Sequence, residues 1–163
     1  MTIRRALAAA LMSAAFILPA SAQPTLSLSL EAGFTPDPDV SRVTAGGTRE
    51  IDEDDGTDCT GYVGNAPTAR LLYTAGREAL YIWAESQTDT VLMIRGPDGR
   101  VSCNDDRDEG LDPGVAFENP VSGEYEIWVG TYDEEEPASA ELRISEIGFA
   151  AQAADEDRDD PAE

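Results

Sequence analysis

The sequence predicts an all-β protein, an antiparallel β-sandwich of about eight strands in a single domain. Three observations carry this. Short apolar runs of period two recur along the chain, turn signals separate them at close intervals, and no convincing amphipathic helix interrupts them. About 140 residues would remain once the N-terminal segment is set aside, enough for one domain with a respectable core.

That segment reads as an export signal. Arg4 and Arg5 form a positive start, residues 6–19 are apolar but too short to span a bilayer, and Ala20-Ser21-Ala22 fits the small-x-small cleavage rule. The expected boundaries are a signal peptide over 1–22, a β-sandwich domain over 23–149 and a disordered acidic tail over 150–163. The expected location is a periplasm or the cell exterior, with no membrane insertion after cleavage.

Leu26, Leu28 and Leu30 alternate with serines and suggest a first strand docking on a sheet edge. Gly33 to Pro38 is a turn-rich joint, and Ala45-Gly46-Gly47 is another. The acidic run over 49–58 suits a loop. Strands are then expected over residues 70–74, 79–86, 90–95, 100–103, 115–118, 124–130 and 140–145. Turn signals lie between them, among them Gly96-Pro97-Asp98-Gly99, Asp112-Pro113-Gly114 and Ser122-Gly123.

Along 124–130 the alternation puts Tyr125, Ile127 and Val129 on the core face and Glu124, Glu126 and Trp128 on the other. If Leu80, Ile82 and Ala84 also point inward, Tyr81 and Trp83 point outward. Tyr81, Trp83 and Trp128 are therefore candidates for a stacking surface for a protein or glycan partner. The competing reading is that the N-terminal strand or a loop covers them, since Trp is seldom left bare.

The chain has 33 acidic and 11 basic residues, a formal net charge of −22, and neither lysine nor histidine. Such a surface repels phosphate backbones and anionic membranes, so nucleic acid is not an expected partner. It also limits catalysis. A Ser-His-Asp or Cys-His machine needs an imidazole, a Ser-Lys dyad needs an amine, and a zinc hydrolase needs histidines. A carboxylate-pair glycosidase is compatible with composition, but a small sandwich without an evident cleft argues against it. The expectation is a non-catalytic protein.

Two cysteines in an exported chain suggest one disulfide, Cys59–Cys103. Beside Cys103 lies a dense run of carboxylates. Calcium takes six to eight oxygen ligands at flexible geometry, and Asn104, Asp105, Asp106, Asp108 and Asp112 offer oxygens in quantity, to which neighbouring turns could bring Asp89, Asp98 and Glu118 close. The pattern is not an EF-hand, because a register begun at Asn104 puts Glu109 at the glycine position and Val115 at the bidentate-Glu position. Two readings stand: a calcium site, or a solvated loop in which the acids form Asx turns. A second acidic cluster, Asp52 to Asp55 with Asp58, would be drawn close by the disulfide, and that repulsion favours calcium. The third run, Asp133 to Glu136, reads as a solvated hairpin loop.

Asp89-Thr90-x-Leu92, Gly96-Pro97-Asp98-Gly99, Asn104-Asp105-Asp106 and Ser122-Gly123-x-Tyr125-x-Ile127-x-Val129 together resemble the bacterial pre-peptidase C-terminal (PPC) domain family. The resemblance implies a jelly-roll-like β-sandwich of the kind appended to secreted peptidases, with calcium-binding relatives among the collagen-binding modules of clostridial collagenases. Carried over by position, it points to Asn104, Asp105 and Asp106 as calcium ligands. Gly33-Phe34-x-Pro36-Asp37-Pro38, Ala45-Gly46-Gly47, Cys59-x-Gly61 and Ile127-Trp128-Val129-Gly130 look like a stand-alone, exported proteobacterial version, sometimes labelled a serine peptidase.

Overall fold

The computed structural model describes residues 24–52, 55, 57, 59–107, 110, 112–134 and 137–149. The expected signal peptide and acidic tail lie outside the described residues. Those described hold eleven strands and no α-helix. In chain order they are β1 (Leu26–Glu31), β2 (Asp39–Ala45), β3 (Arg49–Glu50), β4 (Tyr62–Val63), β5 (Ala69–Thr74) and β6 (Leu80–Ser86). β7 (Thr90–Arg95), β8 (Val101–Asn104), β9 (Gly114–Phe117), β10 (Gly123–Thr131) and β11 (Ala138–Ser145) follow.

Two sheets face each other. The larger has seven strands: β10 pairs β5 and then β4 on one side and β7 on the other, with β1, β3 and β8 outside them. The smaller runs β2-β11-β6-β9. Every pairing is antiparallel except β1 with β5, which is parallel from Leu26↔Ala69 to Glu31↔Thr74. This departs from the all-antiparallel expectation for a topological reason. The chain leaves the large sheet after β1 to make β2 in the small sheet, and so returns with the crossover that a parallel neighbour needs.

Alternation sets the core. Leu71 and Tyr73 of β5, Leu92 and Ile94 of β7, and Tyr125, Ile127 and Val129 of β10 face Leu80, Ile82 and Ala84 of β6 and Leu142 and Ile144 of β11. Leu26, Leu28 and Leu30 close one side of this cluster and are only half-buried. Burying one such aliphatic side chain contributes about 1.5–3 kcal/mol, so this layer is the main source of stability.

β7 is buried on both faces from Thr90 to Ile94. Its second face belongs to a smaller cluster outside the large sheet, where Val91 and Met93 meet Ile51, Val63 and Trp128, flanked by Val101 and the cystine of Cys59 and Cys103. The chain around β3 and β4 is thus a lid over β10 and β7. It sits close because Gly130 has no side chain: a Cβ there would lie 2.4 Å from the Tyr62 carbonyl oxygen. The β7–β8 turn closes through Gly99 N–H donating to the Gly96 carbonyl at 2.9 Å, with Gly99 at φ 81°, a region few other residues adopt.

Candidate functional site

β7 and β10 pair Thr90 with Thr131, which brings the residues just before and just after them to one end of the sandwich. Tyr132 N–H donates to the Asp89 carbonyl at 3.1 Å, and the Thr131 hydroxyl donates to the Asp133 carbonyl at 2.8 Å. The β8–β9 loop arrives at the same place. Asp89 is the centre of the result. Burial raises its pKa first, and the charges of Asp106, Asp105 and Asp133 raise it further. Its Oδ1 is buried and has no hydrogen-bond partner.

The β8–β9 loop is folded by its own polar groups. Asn104 Nδ2 donates to the Asp106 carbonyl at 2.8 Å, while Asn104 Oδ1 accepts from Gly114 N–H at 2.8 Å. Arg107 N–H donates to the Asp112 carbonyl, and Asp112 Oδ1 accepts from Ser86 N–H at 3.1 Å, tying the loop to the end of β6. The Cys59–Cys103 disulfide is present, with 6.0 Å between Cα atoms, and anchors β8 just before the loop.

Of the five residues selected from sequence, Asp105 and Asp106 lie near enough to the half-buried Asp89 for their charges to act on it, while the side chains of Asn104 and Asp112 bond the backbone. Asp108 lies outside the described residues. Asp89 is brought to this end as its neighbouring turn allows, and Asp133, exposed on a loop as its run suggested, adds its charge to the field there. The signal for both was the alignment of Thr90 with Thr131. Asp98 and Glu118 do not belong: Asp98 lies beyond the far end of β7, where its Oδ1 accepts from Arg100 N–H, and Glu118 follows Phe117, which pairs with Leu80 at the far end of β6. Asp55 of the second acidic cluster is paired with Arg49 at 2.7 Å, and Glu53, Asp54 and Asp58 lie outside the described residues. Among the described residues no three acidic side chains converge closely enough to hold a metal ion as they stand.

The aromatic residues make no shared stacking surface. Tyr81 and Trp83 lie on the outer face of the small sheet, Trp128 on that of the large one. Trp83 is 0% exposed under the edge of Phe149, whose ring centroid is 5.7 Å away and 5.0 Å from that of Tyr81. Arg107 stacks on the other side of Phe149 at 4.7 Å. Trp128 is 5% exposed beneath the lid cluster, with the Arg95 guanidinium 5.3 Å from its ring. Outward orientation is right for both tryptophans, but chain segments distant in sequence cover them.

Other polar groups serve the fold. Arg143 is 6% exposed and pairs with Glu85 at 3.1 Å and Glu141 at 2.6 Å. Tyr73 donates to Glu146, and burial, then that carboxylate, push its phenol upward. A phenol so held stays protonated at neutral pH and is a poor base. A groove of about 1100 Å³ opens between the edges of the two sheets, lined by Leu26, Val43, Asn65, Pro67 and Pro137, with Arg42 as the one charged residue among the described residues that line it. No helix among the described residues is long and apolar enough to cross a membrane.

No family model and no curated protein matches the chain. Among solved structures it is similar to the pre-peptidase C-terminal domain of a collagenase from Bacillus anthracis, at TM-score 0.46 and 11% identity over 77% of this chain and 100% of that one. It is also similar to Aeromonas hydrophila PliG, a periplasmic inhibitor of g-type lysozyme, at TM-score 0.36 and 12% identity over 75% and 98%. The first belongs to the family that the sequence motifs resemble. Likenesses this loose carry no argument about ligand or partner.

Proposed function

We propose that this protein is an exported, non-catalytic β-sandwich module that takes up calcium at its acidic end and uses it to order the loops there. Export rests on the N-terminal signal pattern and on the disulfide. The calcium reading is carried by Asp89: a carboxylate with a buried, unpartnered oxygen, in the field of three further carboxylates, costs free energy unless a cation offsets it. The donor set suits a hard cation, being oxygen throughout. Asp89, Asp105, Asp106 and Asp133 would hold the ion after the loops rearrange to bring them together. A lack of preassembled geometry is in keeping with a dissociation constant near 10⁻⁴–10⁻³ M, as in extracellular modules. The module's protein or glycan partner would then meet an ordered surface.

The test is calcium titration of the chelated protein followed by melting. Millimolar calcium raises the melting temperature, and Asp105→Asn with Asp106→Asn abolishes the gain. Absence of any calcium-dependent shift in the unmodified protein overturns the proposal.

A further inference from the structure

Among the described residues, β1 is an open sheet edge without the usual protections. Natural edge strands are kept from pairing with other chains by charge, proline, bulges or brevity. The other outer strands obey this: β3 has two residues, β8 and β9 have four each, and β2 carries Asp39 and Arg42. β1 reads Leu-Ser-Leu-Ser-Leu-Glu, uncharged until its last residue, in a chain of net charge −22. Its serines are exposed and its leucines half-buried, so apolar surface is left uncovered along the edge.

Backbone groups follow the same alternation. Leu26 and Ala32 N–H groups donate to the Thr68 and Thr74 carbonyls of β5 and its flanks, at 2.9 Å each, and Leu28 and Leu30 share that side of the strand. The N–H and C=O groups of Thr25, Ser27, Ser29 and Glu31 consequently face the free edge.

The sequence of this edge is palindromic about Leu28. We propose that β1 pairs antiparallel with β1 of a second copy, across a two-fold axis at Leu28, joining the two large sheets into one. In that register Ser27 lies opposite the second copy's Ser29 and Thr25 opposite its Glu31. Those are the residues whose backbone groups are free, and they form the hydrogen-bonded pairs of an antiparallel ladder. Leu26 meets the second copy's Leu30 and Leu28 meets Leu28, all on the core face, while serine meets serine outside. No two acidic side chains are opposed. Leu26 also lines the uncharged part of the groove between the sheets, so the second copy's Leu30 is placed at the groove's mouth. Partner choice follows from these facts: a self-complementary edge selects itself, and the pairing is isologous and closes at two.

Net charge opposes any meeting of two such chains, and salt screens that repulsion. Association therefore strengthens with ionic strength, the reverse of an interface built on ion pairs. The experiment is sedimentation of the protein purified after export, from micromolar to near-millimolar concentration, at low and high salt. A monomer–dimer equilibrium is expected, with more dimer at high salt. Ser29→Pro removes an N–H that bonds only the second copy and should weaken the dimer at least about tenfold, while leaving the monomer's melting temperature in place. A register check works even if that variant folds poorly: Leu28→Cys should crosslink to itself on mild oxidation, and Leu30→Cys should not. A monomer under all conditions, assemblies larger than two, or a dimer indifferent to Ser29→Pro would each overturn the proposal.

Discussion

Asn104 and Gly114 are joined across the acidic loop by a side-chain carbonyl accepting a backbone N–H at 2.8 Å. The other end of the same amide donates to the Asp106 carbonyl. One side chain thus closes the loop between β8 and β9. Asn104→Ala breaks both bonds and should destabilise the protein by about 1–3 kcal/mol, read by urea unfolding. The loss should be larger in calcium, because the loop that Asn104 closes carries Asp105 and Asp106.

Asp89 makes a pH prediction. Its pKa is raised above the ordinary 3.8 by burial and then by Asp106, Asp105 and Asp133. Between 3.8 and that higher folded value the native state holds more proton than the unfolded one, so this group lowers stability as pH rises through the window. In metal-free buffer, Asp89→Asn should melt above the unmodified protein at neutral pH, and the gap should close on acidification below 3.8. In calcium the order should reverse, since the variant loses a ligand.

Phe149, four residues past the end of β11, covers Trp83 of β6. Phe149→Ala should shift tryptophan emission to the red and cost about 1–3 kcal/mol of stability. Trp128 lies on the opposite sheet, so the same shift should persist in a Trp128→Phe background.

The disulfide closes a long loop, its cysteines 44 positions apart in the chain. Replacing both by serine should cost about 4 kcal/mol in the chain-entropy model. Trp128 should report the change, since Cys59 and Cys103 flank its cluster.

Strand positions and core facing were legible because each strand's own residues encode them. Tyr125, Ile127 and Val129 point inward as their spacing requires, and Leu80, Ile82 and Ala84 do the same. What covers an outward residue is not written beside it. Trp83 is roofed by Phe149 and Trp128 by Ile51 and Val63, and the two-residue strands β3 and β4 that form the second roof have no period to detect. A clue did exist in β7, whose unbroken Val91-Leu92-Met93-Ile94 run requires apolar cover on both faces. β2 escaped notice because Asp39, Ser41 and Arg42 dilute its pattern. The parallel direction of β1 was invisible for another reason: periodicity specifies a face and not a neighbour. At the acidic end, composition marked Asp105 and Asp106, whereas Asp89 and Asp133 became neighbours only through the Thr90–Thr131 pairing.

The order in which the strands are made differs from the order in which they lie. β10 holds β5 and β7 together, and β11 holds β2 and β6 together. Both central strands come last. A chain emerging N-terminus first therefore cannot join the halves of its large sheet until Thr131 has appeared, nor those of its small sheet until Ser145 has. A chain cut before Ala138 lacks the middle of its small sheet altogether. The sandwich is therefore complete only when the two strands made last are in place.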